Sequence, residues 1–187
     1  MKLILKNERL TLRPPKISDA LILEKYINDR LIYRWTLNIP YPYPKGGYKK
    51  WLLKSLQSFK NKKSFNFTIH LNKEPIGSVN LTKIEWSHKK AVLGYWLARK
   101  YWNQGIMTEA VRLILDFGFN QLKLNRIEST HFKQNKGSRR VQEKCGLKKE
   151  GVGRQAILKD GKFFDEVRRA ILINEYKKLK KQWNAKK

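Results

Sequence analysis

Between residues 91 and 122 the apolar period of the chain changes once, across a short polar turn, and this change limits the fold more than any other stretch. Ala91 to Leu97 is a run of aromatic and branched residues that reads as a strand. Asn103-Gln104-Gly105 follows as a turn. Beyond it Ile106, Ala110, Leu113, Ile114 and Phe117 recur at helical spacing. The order is therefore strand, glycine turn, helix. A helix start leaves backbone N–H groups unpaired and carries partial positive charge, so it accepts phosphate readily. A glycine there lets an anion reach the backbone without meeting a Cβ. The stretch 103–108 thus reads as a pyrophosphate site, against the plainer alternative that Gly105 only turns the chain. It carries no Gly-Lys-Ser/Thr ending and no Gly-x-Gly-x-x-Gly, which excludes the two commonest nucleotide loops.

The other elements follow from period and punctuation. Arg9 to Arg13 alternates as a first strand and stops at Pro14-Pro15. Ser18-Asp19 offers a cap for a helix from Ala20 to Tyr26, with the pattern extending towards Tyr33. Ile39 to Gly47 is a proline-rich ordered loop, and Tyr48 to Phe59 is a second helix. Phe65 to Leu71 alternates strictly, Asn72-Lys-Glu74 turns, and Pro75 to Glu85 pairs back, so that Ala91–Leu97 completes an antiparallel meander. After a crossover helix, Gln104–Leu122, come a strand at Arg126–Phe132, a helix at Asn135–Cys145 ending on Gly146, and a hairpin of Lys148–Leu158 and Phe163–Ile173 around Asp160-Gly161. The sum is an α/β chain with a mixed, mostly antiparallel sheet of about seven strands and about four helices. Residues 1–176 read as one domain, and 177–187 as a basic tail that frays.

Composition narrows the partners. Lys and Arg number 42 against 15 Asp and Glu, a formal charge of +27, which favours polyanions: nucleic acid, ribosomal particles or a phosphorylated cofactor. The lysines are spread along the whole chain, so a generally basic surface is the equal alternative. One cysteine, Cys145, excludes an internal disulfide and a cysteine-only zinc cluster, and no metal site is expected. The first apolar run is too short for a signal peptide and no stretch approaches ~20 apolar residues, so a cytoplasmic setting without membrane contact is expected.

The order of elements, with Gly94-Tyr-Trp-Leu97 leading into Tyr101-Trp-Asn-Gln-Gly-Ile-Met-Thr-Glu-Ala110, resembles the GNAT superfamily of acetyl-CoA-dependent N-acetyltransferases. More narrowly it is similar to the RimJ/RimL branch, which acetylates protein N-termini. Arg9 to Pro14, Ser18-Asp19-Ala20, Asn135 to Leu147 and Asp160 to Asp165 carry the likeness over almost the whole chain. The resemblance implies a GNAT fold whose fourth and fifth strands splay apart, acetyl-CoA as cofactor, and direct attack of an amine on the thioester in a ternary complex. The family's pyrophosphate loop falls on Trp102 to Met107, with Gly105 matching and Met107 bulkier than usual. The implied cofactor contacts are Tyr95, Trp96 and Leu97 along pantetheine, Asn103, Gln104, Gly105, Ile106, Met107 and Thr108 around the diphosphate, Asn135 on the pantetheine arm and Arg140 at the 3′-phosphate.

Acetyl transfer needs an oxyanion donor, a proton for the sulfur and a route for the amine proton. By resemblance Ser138 sits near the sulfur as donor or acid; the alternative for Ser138 and Asn135 is a helix cap. Glu85, Glu128 and Asp165 are the candidate bases, with Glu85 preferred as catalytic. Trp35, Tyr41 and Tyr43 either wall an acceptor slot or pack their loop. His131 either titrates beside the acceptor or is structural. Asp165 either holds the substrate ammonium or braces the hairpin. The expected acceptor is a protein N-terminal amine, with the ribosome or nucleic acid as a docking partner for a monomer or homodimer. The alternatives are a polyamine or antibiotic acetyltransferase, or a silent nucleic-acid-binding module.

Overall fold

A computed structural model describes residues 3–185. Eight strands form one sheet: β1 (Leu5–Lys6), β2 (Leu10–Arg13), β3 (Phe65–Leu71), β4 (Glu74–Glu85), β5 (Lys90–Leu97), β6 (Arg126–Phe132), β7 (Lys148–Lys159) and β8 (Lys162–Leu172). Their spatial order is β1-β2-β3-β4-β5-β6-β8-β7. Every neighbouring pair is antiparallel except β5 and β6, which are parallel. Parallel neighbours need a crossover. Here it is α4 (Ile106–Asp116), extended by a π-helical turn at Phe117–Gln121, as the sequence pattern to Leu122 foresees.

The meander closes on turns that the side chains dictate. Asn72 and Lys73 both take positive φ, 48° and 68°, the conformation that a two-residue turn needs to match strand twist. Asp160 and Gly161 do the same between β7 and β8.

Strand alternation sorts the residues onto two faces. Phe65, Phe67 and Ile69 of β3, Val79 and Leu81 of β4, and Ala91 and Leu93 of β5 bury against Ile106, Ala110, Val111 and Ile114 of α4. The opposite face carries α1 (Ala20–Ile27), α2 (Arg30–Trp35) and α3 (Gly47–Lys60), whose Leu23, Ile32, Tyr48 and Leu52 form a second cluster around Trp96. The helix expected to run from Ala20 towards Tyr33 is two helices. Asn28 leaves helical geometry and the Asp29 carboxylate accepts from the Leu31 amide, so a new helix starts there.

Two further elements depart from the sequence reading. The two-residue β1 pairs with β2 and buries Leu5 in the main core. The tail expected to fray continues helix α6 (Ile173–Asn184), because Tyr176 is buried and Leu179 and Trp183 pack on the main core. Apolar residues at that spacing give an otherwise lysine-rich segment one face to bury.

Candidate functional site

The parallel pair β5–β6 is joined only at Lys90, Ala91 and Val92, opposite Arg126, Ile127 and Glu128. Both strands continue, β5 to Leu97 and β6 to Phe132, without pairing. They part at a marked point: the Ser129 hydroxyl donates to the Leu93 carbonyl at 3.1 Å. Beyond it a wedge-shaped gap opens inside the sheet.

The backbone facing this gap follows from register. The Ala98 amide donates to Ile76 of the β4 side, so alternate residues back along β5, Trp96 and Gly94, also point their amides at β4. Leu93, Tyr95 and Leu97 therefore point theirs into the gap. The Leu93 carbonyl is taken by Ser129, and the Leu97 carbonyl by the Trp102 indole N–H at 2.8 Å. The Tyr95 amide and carbonyl and the Leu97 amide remain to pair with an extended ligand. Trp96, expected on the cofactor, is corrected: its backbone belongs to the β4 ladder and its ring is buried against Tyr48 at 6.2 Å.

At the open end of β5 lies the glycine turn. Asn103 takes φ 60° and Gly105 φ 77°, and Gly105 is the residue before the first turn of α4. A Cβ built on Gly105 meets nothing within 4 Å, so the space over the helix start is open. The Glu109 amide is bonded back to Gly105, whereas Ile106, Met107 and Thr108 occupy the first turn, whose amides have no partner within a helix. Asn103, Gln104 and Gly105 are exposed, while the side chains of Ile106 and Met107 are buried in the core. Met107 is bulky without obstructing the loop, because its bulk points inward. The one acidic side chain in this turn, Glu109, is held by Arg9 at 2.8 Å and Asn7 at 3.0 Å.

On the other bank of the gap, α5 (Lys136–Lys144) begins at Asn135, whose side chain accepts from the Ser138 amide at 3.0 Å. The cap alternative for Asn135 is thus realised through Oδ1. The Ser138 Oγ lies 2.8 Å from the Tyr95 hydroxyl, so one side chain from each bank meets across the wedge. Burial pushes the Tyr95 phenol up to about 12, against the opposing pull of hydrogen bonds from Ser138 and Gln142. Tyr95 is therefore protonated at neutral pH. Arg140 is exposed on α5. Cys145 is buried at the end of α5 and burial raises its thiol to about 12, which leaves it unreactive near neutrality.

An aromatic and charged cluster forms where β6 finishes. The Lys159 ammonium, on the hairpin, donates to the carbonyls of Tyr33 and Thr36 at 2.5 Å each and lies 3.7 Å from the centre of the Tyr33 ring. The Tyr33 hydroxyl donates to Asp160. Tyr41 packs on Tyr33 at 5.9 Å and Phe164 on Phe132 at 5.6 Å. So α2, the proline-rich loop and the last hairpin converge on an aromatic wall. Tyr41 belongs to it. Tyr43 does not: it packs on Tyr48, and its amide is tied to Asn28. Trp35 carries Arg34 over its ring. Tyr33, Phe132 and Lys159 escaped sequence reasoning because nothing local joins residues a hundred positions apart.

Three further expectations are corrected. Glu85 pairs in register with Lys90, whereas Ser78 pairs with Trp96. Those positions are six residues apart on β5, roughly 20 Å at about 3.3 Å per residue. Glu85 thus lies at the closed end of the wedge, in an exposed ion pair with Lys90, and cannot serve chemistry at the open end. His131 is buried on the α5 face, its Nδ1 against the Phe132 carbonyl at 2.9 Å, and burial lowers its pKa. It is the next residue, Phe132, that alternation turns towards the acceptor wall. Asp165 accepts from the Gln155 amide at 3.0 Å and from Lys133 at 2.9 Å, so it braces the hairpin.

Among the described residues no cluster suited to a metal ion occurs, and no helix is long and apolar enough to cross a membrane. The model of the acetyltransferase (GNAT) domain matches residues 9–148. The probable N-acetyltransferase YjcK of Bacillus subtilis (strain 168) is 33% identical over 175 residues, covering 90% of this chain and 97% of that protein. The putative ribosomal N-acetyltransferase YdaF of the same organism is 26% identical over 97% of each chain. Among solved structures, RimL, described as a ribosomal L7/L12 alpha-N-protein acetyltransferase in complex with coenzyme A, superposes with a TM-score of 0.87. It is 20% identical over 92% of this chain and 99% of its own.

Proposed function

This chain belongs to the GNAT family of acetyl-CoA-dependent N-acetyltransferases, and from that premise we propose that the amine it acetylates is the N-terminal α-amine of a protein. The observation that carries this reading is the charge beside the acceptor wall. Residues 30–54, which hold α2, the proline-rich loop and the first half of α3, contain six Lys or Arg and no Asp or Glu. The nearby carboxylates are engaged: Asp160 with Tyr33, Asp165 with Lys133 and Asp29 with Arg99. Such a surface repels a free polycation and attracts a macromolecule with acidic or phosphate groups. The likeness to a putative ribosomal N-acetyltransferase points the same way.

The residues of the gap fit acetyl-CoA. The open amides around Gly105 suit the diphosphate, and the free Tyr95 and Leu97 groups suit the amides of pantetheine. When bound, the cofactor supplies an acetyl group activated as a thioester; the C–N bond forms and the C–S bond breaks, the nitrogen gives up one proton and the departing sulfur takes one up. The chain orients both reactants in a ternary complex, a contribution that can reach ~7–11 kcal/mol. Ser138 donates its O–H towards the departing sulfur, and the aromatic wall flanks the acceptor amine. The Lys159 ammonium, tied to the carbonyls of Tyr33 and Thr36, holds the hairpin against the end of α2 beside that wall.

The test is a mass-spectrometric comparison of acetyl transfer to N-terminal peptides of ribosomal proteins, to whole ribosomal proteins and to spermidine. Transfer to α-amines is expected to dominate, with the protein-acceptor KM rising as salt screens the basic face. A higher kcat/KM for spermidine than for every protein acceptor overturns the proposal.

A further inference from the structure

Gln142 is the one fully buried polar residue of α5 and plays no part in the scheme above. It lies one helical turn beyond Ser138, on the same face. Its Nε2 is 3.0 Å from the Ser129 Oγ, 3.2 Å from the Ser138 Oγ and 3.4 Å from the Thr130 carbonyl. A carbonyl only accepts, so the atom facing these three oxygens is the amide nitrogen and donates.

The protons of the whole chain of contacts can then be assigned. The Ser129 hydroxyl gives its proton to the Leu93 carbonyl, which has none to give. Gln142 donates one N–H to Ser129 and the other to Ser138. The Tyr95 hydroxyl lies 2.8 Å from the Ser138 Oγ and 3.3 Å from the Ser138 carbonyl, and we infer that it donates across the shorter contact. A hydroxyl oxygen accepts two hydrogen bonds. With both acceptor positions taken in this way by Gln142 and Tyr95, Ser138 points its own proton to the remaining tetrahedral position, away from both partners.

We propose that Gln142 is a positioning residue: together with Tyr95 it turns the Ser138 proton into the gap between β5 and β6, towards the sulfur of the cofactor. The proposal rests on the reading of Ser138 as the donor to that sulfur. A second observation supports a role beyond packing. The Gln142 Oε1 is buried without a hydrogen-bond partner. A buried, unpaired acceptor costs stability that an apolar residue of the same shape avoids. Packing alone would favour methionine at this position.

The experiment measures the pKa of the thiol of bound coenzyme A, from thiolate ultraviolet absorbance below pH 9, in wild type, Ser138→Ala, Gln142→Met and the double variant. Cys145, at about 12, does not titrate in that range. An oriented donor stabilises the thiolate, so its loss in either single variant is expected to lower the thiol ionisation constant roughly tenfold. The double variant should be no worse than Ser138→Ala. The melting temperature of Gln142→Met should equal or exceed that of wild type, and kcat should fall while the acetyl-CoA Kd holds. Gln142→Glu, whose ionised carboxylate accepts from Ser138 and draws its proton inward, should lose at least as much. If Ser138→Ala leaves the thiol pKa unchanged, the donor reading fails and the positioning role falls with it. If Ser138→Ala shifts it but Gln142→Met does not, or does so equally in the Ser138→Ala background, only the positioning role is overturned.

Discussion

Gly105→Glu tests the phosphate site at one atom. Gly105 holds φ 77° and a Cβ there meets nothing within 4 Å, so the substitution has two separable costs. The first is conformational: an L-residue in the left-handed region costs about 1–2 kcal/mol. For a chain of this size each kcal/mol lowers Tm by about 2–4 °C, so a fall of roughly 2–8 °C is expected without ligand. The second is electrostatic. A carboxylate roughly 5 Å from one phosphate charge costs about 3 kcal/mol at an effective dielectric near 20, and screening at an exposed loop removes about half of this. At about 1.4 kcal/mol per tenfold, the acetyl-CoA Kd should rise roughly tenfold to a hundredfold. Gly105→Asn is the control, since asparagine tolerates positive φ and adds no charge. It should keep most of the Tm and weaken binding far less. Calorimetric titration of acetyl-CoA into the three proteins gives the answer. A Gly105→Glu protein that is folded and binds acetyl-CoA within threefold of wild type would refute the site.

Three other perturbations address separate parts of the fold. Trp102→Phe removes the indole N–H from the Leu97 carbonyl, so it should cost about 1 kcal/mol in urea unfolding and raise the acetyl-CoA Kd several-fold. An unchanged Kd would show that this bond does not set the gap. Lys159→Met unpins the hairpin from α2 and should raise the acceptor KM about tenfold while the acetyl-CoA Kd holds; a change in cofactor affinity instead would misplace the acceptor wall. Asp19 is buried, which works to raise its pKa, but contacts from His70, Arg13 and the Lys16 amide outweigh burial and hold the carboxyl well below its usual range. A depressed folded-state pKa gives stability that is present above the unfolded value near 4 and is lost as pH falls below it. Asp19→Asn should cost about 3 kcal/mol at pH 7, and the gap to wild type should narrow on acidification. A gap that stays constant from pH 7 to pH 3 would remove Asp19 from the acid limb.

The residues fixed most of the local decisions in this chain. The strict alternation of Phe65 to Leu71 dictates a strand, Asp160-Gly161 a tight hairpin, and the glycine before Ile106 a helix start with open amides, because period and backbone freedom act within a few residues. The tertiary structure alone decided which side chains meet. Glu85 looked as eligible as any carboxylate until register put it at the closed end of the wedge. His131 and Phe132 differ by one position and both are buried, and only the tertiary packing decides that Phe132, not His131, meets the aromatic wall at Phe164. Lys177 to Lys187 read as a basic tail that frays, yet within the described residues Tyr176, Leu179 and Trp183 find an apolar seat on the core. The Tyr95–Ser138–Gln142 contacts join β5 to α5 across more than forty residues of chain, and hydrogen bonds of that span exist only once burial has brought their partners together.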